Sequence, residues 1–342
     1  MTIESSAGWR ERFGWDKGVL VLLVVTVVVG GVLTPDFANT GNIGFVLQDI
    51  GEIMLIALPM TLLIITGEID LSVASTAALA GCVMGLVWQG TASMPLAVLA
   101  ALATGTLCGA VNGLLVTRFG LGSLAVTIGT LGLYRGLCYV LLGDTTVADF
   151  PAEWTTLGYS TIGSTPFPYV TPLLVVLAVV FGVLLHLTRL GRWVFAIGQS
   201  TEAARFARIP VALVKMRLFV LTGLVAGLAG AVYNLRFASA RPDGALGFEL
   251  AVIASALFGG VSIFGGVGTV WGVVGAVLFL GSVRSVLQLQ NVPSNALTIV
   301  TGGLLLASVI VPVVAARLRS ARSRPVVPAA ISSGPGLATG AG

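Results

Sequence analysis

Apolar runs long enough to cross a bilayer recur along the chain between residues 18 and 315, with the charged residues gathered into short segments between them. A helix needs about 20 consecutive apolar residues to span a hydrocarbon core about 30 Å thick. Spread evenly, the 18 Lys and Arg and 14 Asp and Glu of the 342-residue chain would interrupt every run at about ten-residue intervals, too short for any span. Charged residues make up 9% of the chain, against about 25% in soluble domains. Hydrocarbon offers the backbone no hydrogen-bond partners, so segments of this length are expected to be helical. The fold class expected is all-α, a polytopic transmembrane helical bundle.

Gly, Pro and charge punctuation predicts about ten spans (8–10): 18–33, 44–66, 72–89, 95–117, 121–142, 169–188, 216–236, 249–265, 268–284 and 295–315. Half-spans are expected around 121–142 and 255–285. Residues 259–275 repeat Gly often enough to favour a tight reversal, although close helix packing through small residues explains the same composition. The run after Lys17 ends in Thr34-Pro35-Asp36-Phe37, with no small-x-small cleavage site, so it reads as a retained first span. The domain organisation is then a cytoplasmic N-terminus 1–17, a membrane domain 18–315 and a basic, then disordered, cytoplasmic tail 316–342. With the N-terminus inside, the internal segments hold every Lys and Arg except Arg135, Arg236, Arg241 and Arg284. The longest external loop, 143–168, holds acids but no Lys or Arg, and this asymmetry predicts N-in and C-in orientation.

Several function classes are excluded early. A phosphate-binding loop needs a Gly-Lys pair, but the two lysines, Lys17 and Lys215, follow Asp and Val, so ATP chemistry would have to come from another chain. With His186 the sole histidine and Cys82, Cys108 and Cys138 isolated in apolar stretches, neither a zinc site nor a disulfide framework is expected. The basic residues lie in short inter-span segments rather than on one polar face, so nucleic acid is not expected as a partner.

Polar residues inside or beside spans are the functional candidates. Asp49 and Glu52 stand three apart on the second span, an arrangement that needs water or partners. Asn112, Arg135, Asp49 and Glu52 are the candidate translocation-path residues, with helix pairing for Asn112 and snorkelling for Arg135 as the structural alternatives. In Gly67-Glu68-Ile69-Asp70-Leu71-Ser72, Asp70 or Ser72 can cap the following helix. The longest internal segment, 189–215, includes a short amphipathic helix starting at Thr201, suited to docking on a protein or on anionic lipid.

These residues also carry a resemblance. Gly67 to Val73, Val111-Asn112-Gly113-Leu114-Leu115-Val116, Val126 to Thr130, Gly191 to Gly198, and Phe258-Gly259-Gly260-Val261-Ser262 to Gly265-Gly266-Val267-Gly268-Thr269 resemble, in order, the monosaccharide-permease family of bacterial ATP-binding-cassette importers. The finer motifs are most similar to its rhamnose-type branch. The resemblance implies a multi-pass inner-membrane transport subunit, not an enzyme, that moves a small sugar and binds no cofactor or metal itself. It implies a cytoplasmic cassette ATPase holding ATP-Mg, a periplasmic sugar-binding protein and a second permease chain as partners. It marks Gly67, Glu68, Asp70, Ser72, Gly259, Gly260, Gly265 and Gly266 as family positions. Glu202, Ala203, Ala204, Arg205, Arg208 and Ile209 would then lie in the loop coupled to the ATPase, although Ala207-Arg208 stands where the family usually has Ser-Gly. An ion-coupled secondary transporter using Asp49, Glu52 or Asp70 is the alternative reading, with a substrate-binding signalling receptor as a third.

Overall fold

The computed structural model describes the main chain of residues 7–293 and, beyond them, Ala296, Ile299, Val300, Gly302, Gly303, Leu306 and Ile310, with side chains described from Lys17 onward. The expected span 295–315 lies largely, and the tail 316–342 wholly, outside the described residues. In chain order the helices are α1 (Ala7–Leu33), α2 (Thr40–Asp49), α3 (Gly51–Ile65), α4 (Val73–Thr91), α5 (Met94–Thr117), α6 (Ser123–Leu142), α7 (Ala152–Tyr159), α8 (Val170–His186), α9 (Arg189–Gln199), α10 (Thr201–Phe206), α11 (Val211–Phe237), α12 (Phe248–Phe258) and α13 (Val270–Leu289). No strand occurs among the described residues beyond two isolated bridges. The polytopic helical bundle is as expected.

Helices α4, α5, α6, α11 and α13 are each long and apolar enough to cross a membrane. Two helix pairs are as apolar when each is taken together but are sharply bent, α2 and α3 at 45° and α8 and α9 at 64°. The half-span expected around 121–142 needs correction, and the one around 255–285 is met only in α12. Residues 123–142 form one continuous 20-residue helix, because Gly129, Gly132 and Gly136 face open space and interrupt no backbone ladder. In 255–285, α13 is likewise a full 20-residue helix, and only α12, at 11 residues, is short. The first helix starts at Ala7, within the segment expected to precede the first span.

The bundle is organised around α3 and α11. All but one residue of α3 is buried, and the helix runs through the centre of the largest apolar cluster. Helix α11 packs on α5 through Gly105, Gly109 and Gly113 on one side and Gly223 and Gly227 on the other. A Cβ on Gly105 would sit 2.3 Å from the Gly223 carbonyl oxygen, and one on Gly109 would sit 2.3 Å from that of Phe219. One turn on, Gly230 lies against the backbone of Ala77 in α4. In hydrocarbon such close approach is a main source of helix association, since burying apolar surface gains little there. Val21, Val24, Val28 and Val32 of α1 are exposed, as a lipid-facing surface requires.

Because helix directions alternate, the connections at 66–72, 118–122 and 259–269 and the segment 198–210 lie at one end. The opposite end is closed by residues 143–169. Val147 bridges Ala240, the Trp88 indole donates to the Asp149 carbonyl oxygen at 2.8 Å, and Gly158 lies directly on the backbone of Leu235 and Arg236.

Candidate functional site

Three of the motif segments meet at one point. Helix α3 ends at Ile65 with an unpaired carbonyl, as helix C-termini do. The amide of Gly266, from the α12–α13 connection, donates to that oxygen at 2.8 Å. Gly198, near the end of α9, covers the same spot so closely that a Cβ would lie 1.8 Å from the Ile65 oxygen and 2.3 Å from the Gly266 nitrogen. Gly265 completes the joint, close to the Ile65 and Gly198 oxygens and the Gly67 nitrogen.

The glycines at the helix ends have a second cause. Gly67, with φ 81°, follows α3: its amide donates to Ile64 and that of Glu68 to Leu63. Gly260, with φ 88°, follows α12: its amide donates to Leu257 and that of Val261 to Ala256. Both are Schellman closures, which need a left-handed residue just beyond the helix. Gly259 is held instead by proximity, since a Cβ there would lie 2.6 Å from the Val273 backbone.

From this joint the α3–α4 connection carries a polar chain into the bundle. Asp70 accepts from the Ser72 amide at 2.8 Å and from its hydroxyl at 2.7 Å. Ser72 is therefore held by Asp70 and makes no side-chain cap of its own. The Asn112 amide of α5 donates to the Ser72 hydroxyl at 2.8 Å and, more weakly, to the Asp70 carboxylate at 3.3 and 3.4 Å. Tyr134 of α6 donates to Asn112 Oδ1 at 3.2 Å and to the Cys108 carbonyl at 3.1 Å. Burial of Asp70, which lies between the spans, pushes its carboxyl above the ordinary carboxylate range, while the bonds from Ser72 and Asn112 act in the opposite sense. Ile69 ties the connection to α6 as well, its amide donating to Ser123 Oγ and its carbonyl accepting from Thr127.

On the other side of the joint, α10 begins at Thr201 as expected, with the Ser200 hydroxyl accepting from the Ala203 amide. It ends in a third Schellman closure, in which Arg208 donates to Arg205 and Ile209 to Ala204. The left-handed residue here is Arg208, with φ 58°. The turn that Gly would make is thus made by Arg, in a conformation that costs an L-residue about 1–2 kcal/mol. Ala204 is buried and Ile209 packs on the core, whereas Glu202, Ala203, Arg205 and Arg208 are exposed. Phe206, which sequence reasoning did not single out, is 90% exposed at the tip of the helix.

Near the opposite end, Asp49 and Glu52 have gained the partners their spacing demanded. Arg236 of α11 donates to Glu52 at 3.1 Å and to Asp49 at 3.5 Å, and Arg284 of α13 lies 3.6 Å from Asp49. One Glu52 oxygen is buried without a partner. Arg135 of α6 donates to the carbonyls of Pro242 and Gly244 at 2.6 and 2.8 Å, holding down the connection to α12. The structure therefore brings Asp70, Ser72 and Asn112 together and Asp49 and Glu52 together, with Arg135 in neither group. Sequence reasoning missed Tyr134, Lys215 and Arg236. For the facing glycines of α5 and α11, the small-x-x-x-small spacing was a readable signal.

A helical bundle with sharply bent helix pairs and a short, exposed helix held on a joint of backbone contacts has the form of a membrane-embedded transport component. Residues 42–309 match the family described as the branched-chain amino acid transport system / permease component, and the chain belongs to it. Over 307 residues it is 34% identical to the autoinducer 2 import system permease protein LsrD of Escherichia coli K12 and to that of Shigella flexneri, covering 88% of this chain and 92% of each relative. No solved structure matches the chain. These relatives carry autoinducer 2 in their names, and nothing among them supports the rhamnose-type branch.

Proposed function

We propose that the chain is the permease subunit of an ATP-driven importer for a small, sugar-like polar solute, with autoinducer 2 as the leading candidate and ribose, xylose or rhamnose as the alternatives to be tested against it. A hydroxyl-rich solute loses hydrogen bonds to water on entering hydrocarbon, at a cost of roughly 2–7 kcal/mol per unpaired group, so it needs a protein path. In this reading a periplasmic binding protein delivers the solute, a second permease chain completes the path, and a cytoplasmic ATPase, holding ATP-Mg, grips residues 200–210. The N-in orientation of this reading is supported by the bias of basic residues toward the internal segments, 189–215 among them.

The observation that carries the reading is the form of that segment. Its helix is capped at both ends and anchored through Ala204 and Ile209, yet it turns Glu202, Arg205, Phe206 and Arg208 outward. An exposed aromatic among charges, on a rigid mount, suits a protein groove better than water. The ion-coupled alternative is less well supported, because Asp49 and Glu52 are engaged by Arg236 and Asp70 is enclosed by Ser72 and Asn112.

The experiment is reconstitution of the permease with its ATPase in vesicles, with and without binding protein loaded with autoinducer 2. Solute-stimulated ATP hydrolysis is expected, and Glu202→Lys with Arg208→Glu, or Phe206→Ala, should abolish it while leaving membrane insertion intact. Uptake by the permease alone, driven by an ion gradient, would overturn the reading.

A further inference from the structure

Helix α11 starts at Val211, directly after Pro210, so no flexible loop separates the exposed segment 200–210 from the helix at the centre of the bundle. In its second turn, Lys215 forms an ion pair with Glu68 of the α3–α4 connection. The Lys215 and Glu68 side chains are only 14% and 13% exposed. A pair so shielded is little screened by salt and holds its geometry better than a surface pair.

Glu68 is two residues from Asp70, where the polar chain through Ser72 and Asn112 to Tyr134 begins. The connection is not helical between Ile65 and Val73, and its bonds to Asn112, Ser123 and Thr127 tie any displacement of it to α5 and α6. Its other tie to the exposed segment is the glycine joint, which is backbone against backbone and fixes position without charge. Apolar packing aside, the ion pair is thus the one charged or hydrogen-bonded side-chain link among the described residues that runs from the base of α11 to the polar connection.

We infer that the Glu68–Lys215 ion pair transmits displacement of residues 200–210 to the α3–α4 connection, and through Asp70 and Asn112 to α5 and α6. Both are positioning residues that touch neither solute nor nucleotide. The inference rests on the reading that an ATPase grips 200–210. Energetic coupling between distant sites requires an element that both bias, and the connection 66–72, held from both sides, is that element.

The test uses the same vesicles and autoinducer 2-loaded binding protein. Glu68→Gln and Lys215→Met should each bind the ATPase and hydrolyse ATP at the basal rate, but lose solute stimulation by about fivefold or more, as expected for a coupling link. The charge exchange, Glu68→Lys with Lys215→Glu, should restore at least half of it. A merely structural pair would lower assembled yield and basal hydrolysis together and leave the ratio of stimulated to basal rate unchanged. That unchanged ratio, in the single variants or in Glu68→Asp should the others fail to assemble, would overturn the inference. Failure of the broader reading looks different, because the unaltered complex itself would then show no stimulation.

Discussion

Two junctions in the molecule, one toward each end, are held by opposite means. At one end, Ile65, Gly198 and Gly266 meet backbone to backbone, with no side chain between them. Toward the other, Asp49, Glu52, Arg236 and Arg284 reach across the gaps between α2, α3, α11 and α13 with long charged side chains. Backbone contact fixes distance and tolerates no added atom. Glu52 and Arg236 meet instead through their side chains, so a change in one can be answered by a change in the other.

The largest effect should come from adding one methyl group at the stiff end. Gly198→Ala places a Cβ where a carbonyl oxygen stands 1.8 Å away, and α9 must leave its seat. A loss of about 4 kcal/mol or more is expected, at the extreme of single substitutions. Gly129→Ala, which meets nothing within 4 Å, should leave stability nearly unchanged or slightly raised. Thermal melting of both variants in detergent measures the contrast, and equal midpoints would dissolve the idea of a rigid joint.

Next in size is Arg236→Met. It strips Glu52 of its only cationic partner among the described residues, and breaking a buried pair costs about 3–5 kcal/mol. Adding Glu52→Gln removes the stranded charge and should recover most of the loss. No second substitution is expected to rescue Gly198→Ala in this way. If the double variant melted no higher than Arg236→Met alone, the charged end would be as rigid as the joint.

The difference between the ends also decides what could be read from the residues. The joint is built from local patterns: Gly67, Gly198, Gly260, Gly265 and Gly266 stand in runs whose order and spacing are visible in one dimension. That these runs converge on a single carbonyl is not visible, because it depends on how α3, α9 and the α12–α13 connection are threaded. The Glu52–Arg236 pair joins positions 184 residues apart, so the need for a partner was legible but its identity was not. Asn112 and Arg135 were recognised as costly in a span, yet their spacing could not distinguish a bond to Ser72 or to the Pro242 carbonyl from a place along a path. The half-span expected around 121–142 did not form, and Gly129, Gly132 and Gly136 line an open face of a continuous helix.

A smaller effect is expected where the stiff end passes into the bundle. Asn112→Leu keeps the volume but removes the amide that donates to Ser72 and Asp70, leaving a buried carboxylate with fewer donors. The cost should be about 2 kcal/mol, within the range for an unsatisfied buried group. Tyr134→Phe removes only the far end of the chain and should cost less. If Asn112→Leu melted like the unaltered protein, the polar chain would contribute nothing to holding the connection.

The smallest effect should be a gain, and it tests whether Arg208 is there for shape or for charge. Gly67, Gly260 and Arg208 occupy the same position in three Schellman closures, and only the last carries a side chain in the left-handed region. Were shape alone at stake, Gly would be the better residue. Arg208→Gly is therefore expected to raise stability by about 1 kcal/mol, the strain it relieves. In the reading proposed above, the Arg208 guanidinium meets the ATPase. The same variant should then weaken binding of the ATPase, and Arg208→Lys, which keeps the charge and the strain, should weaken it less. A variant that melted higher and bound the ATPase as tightly as before would leave the arginine without a purpose.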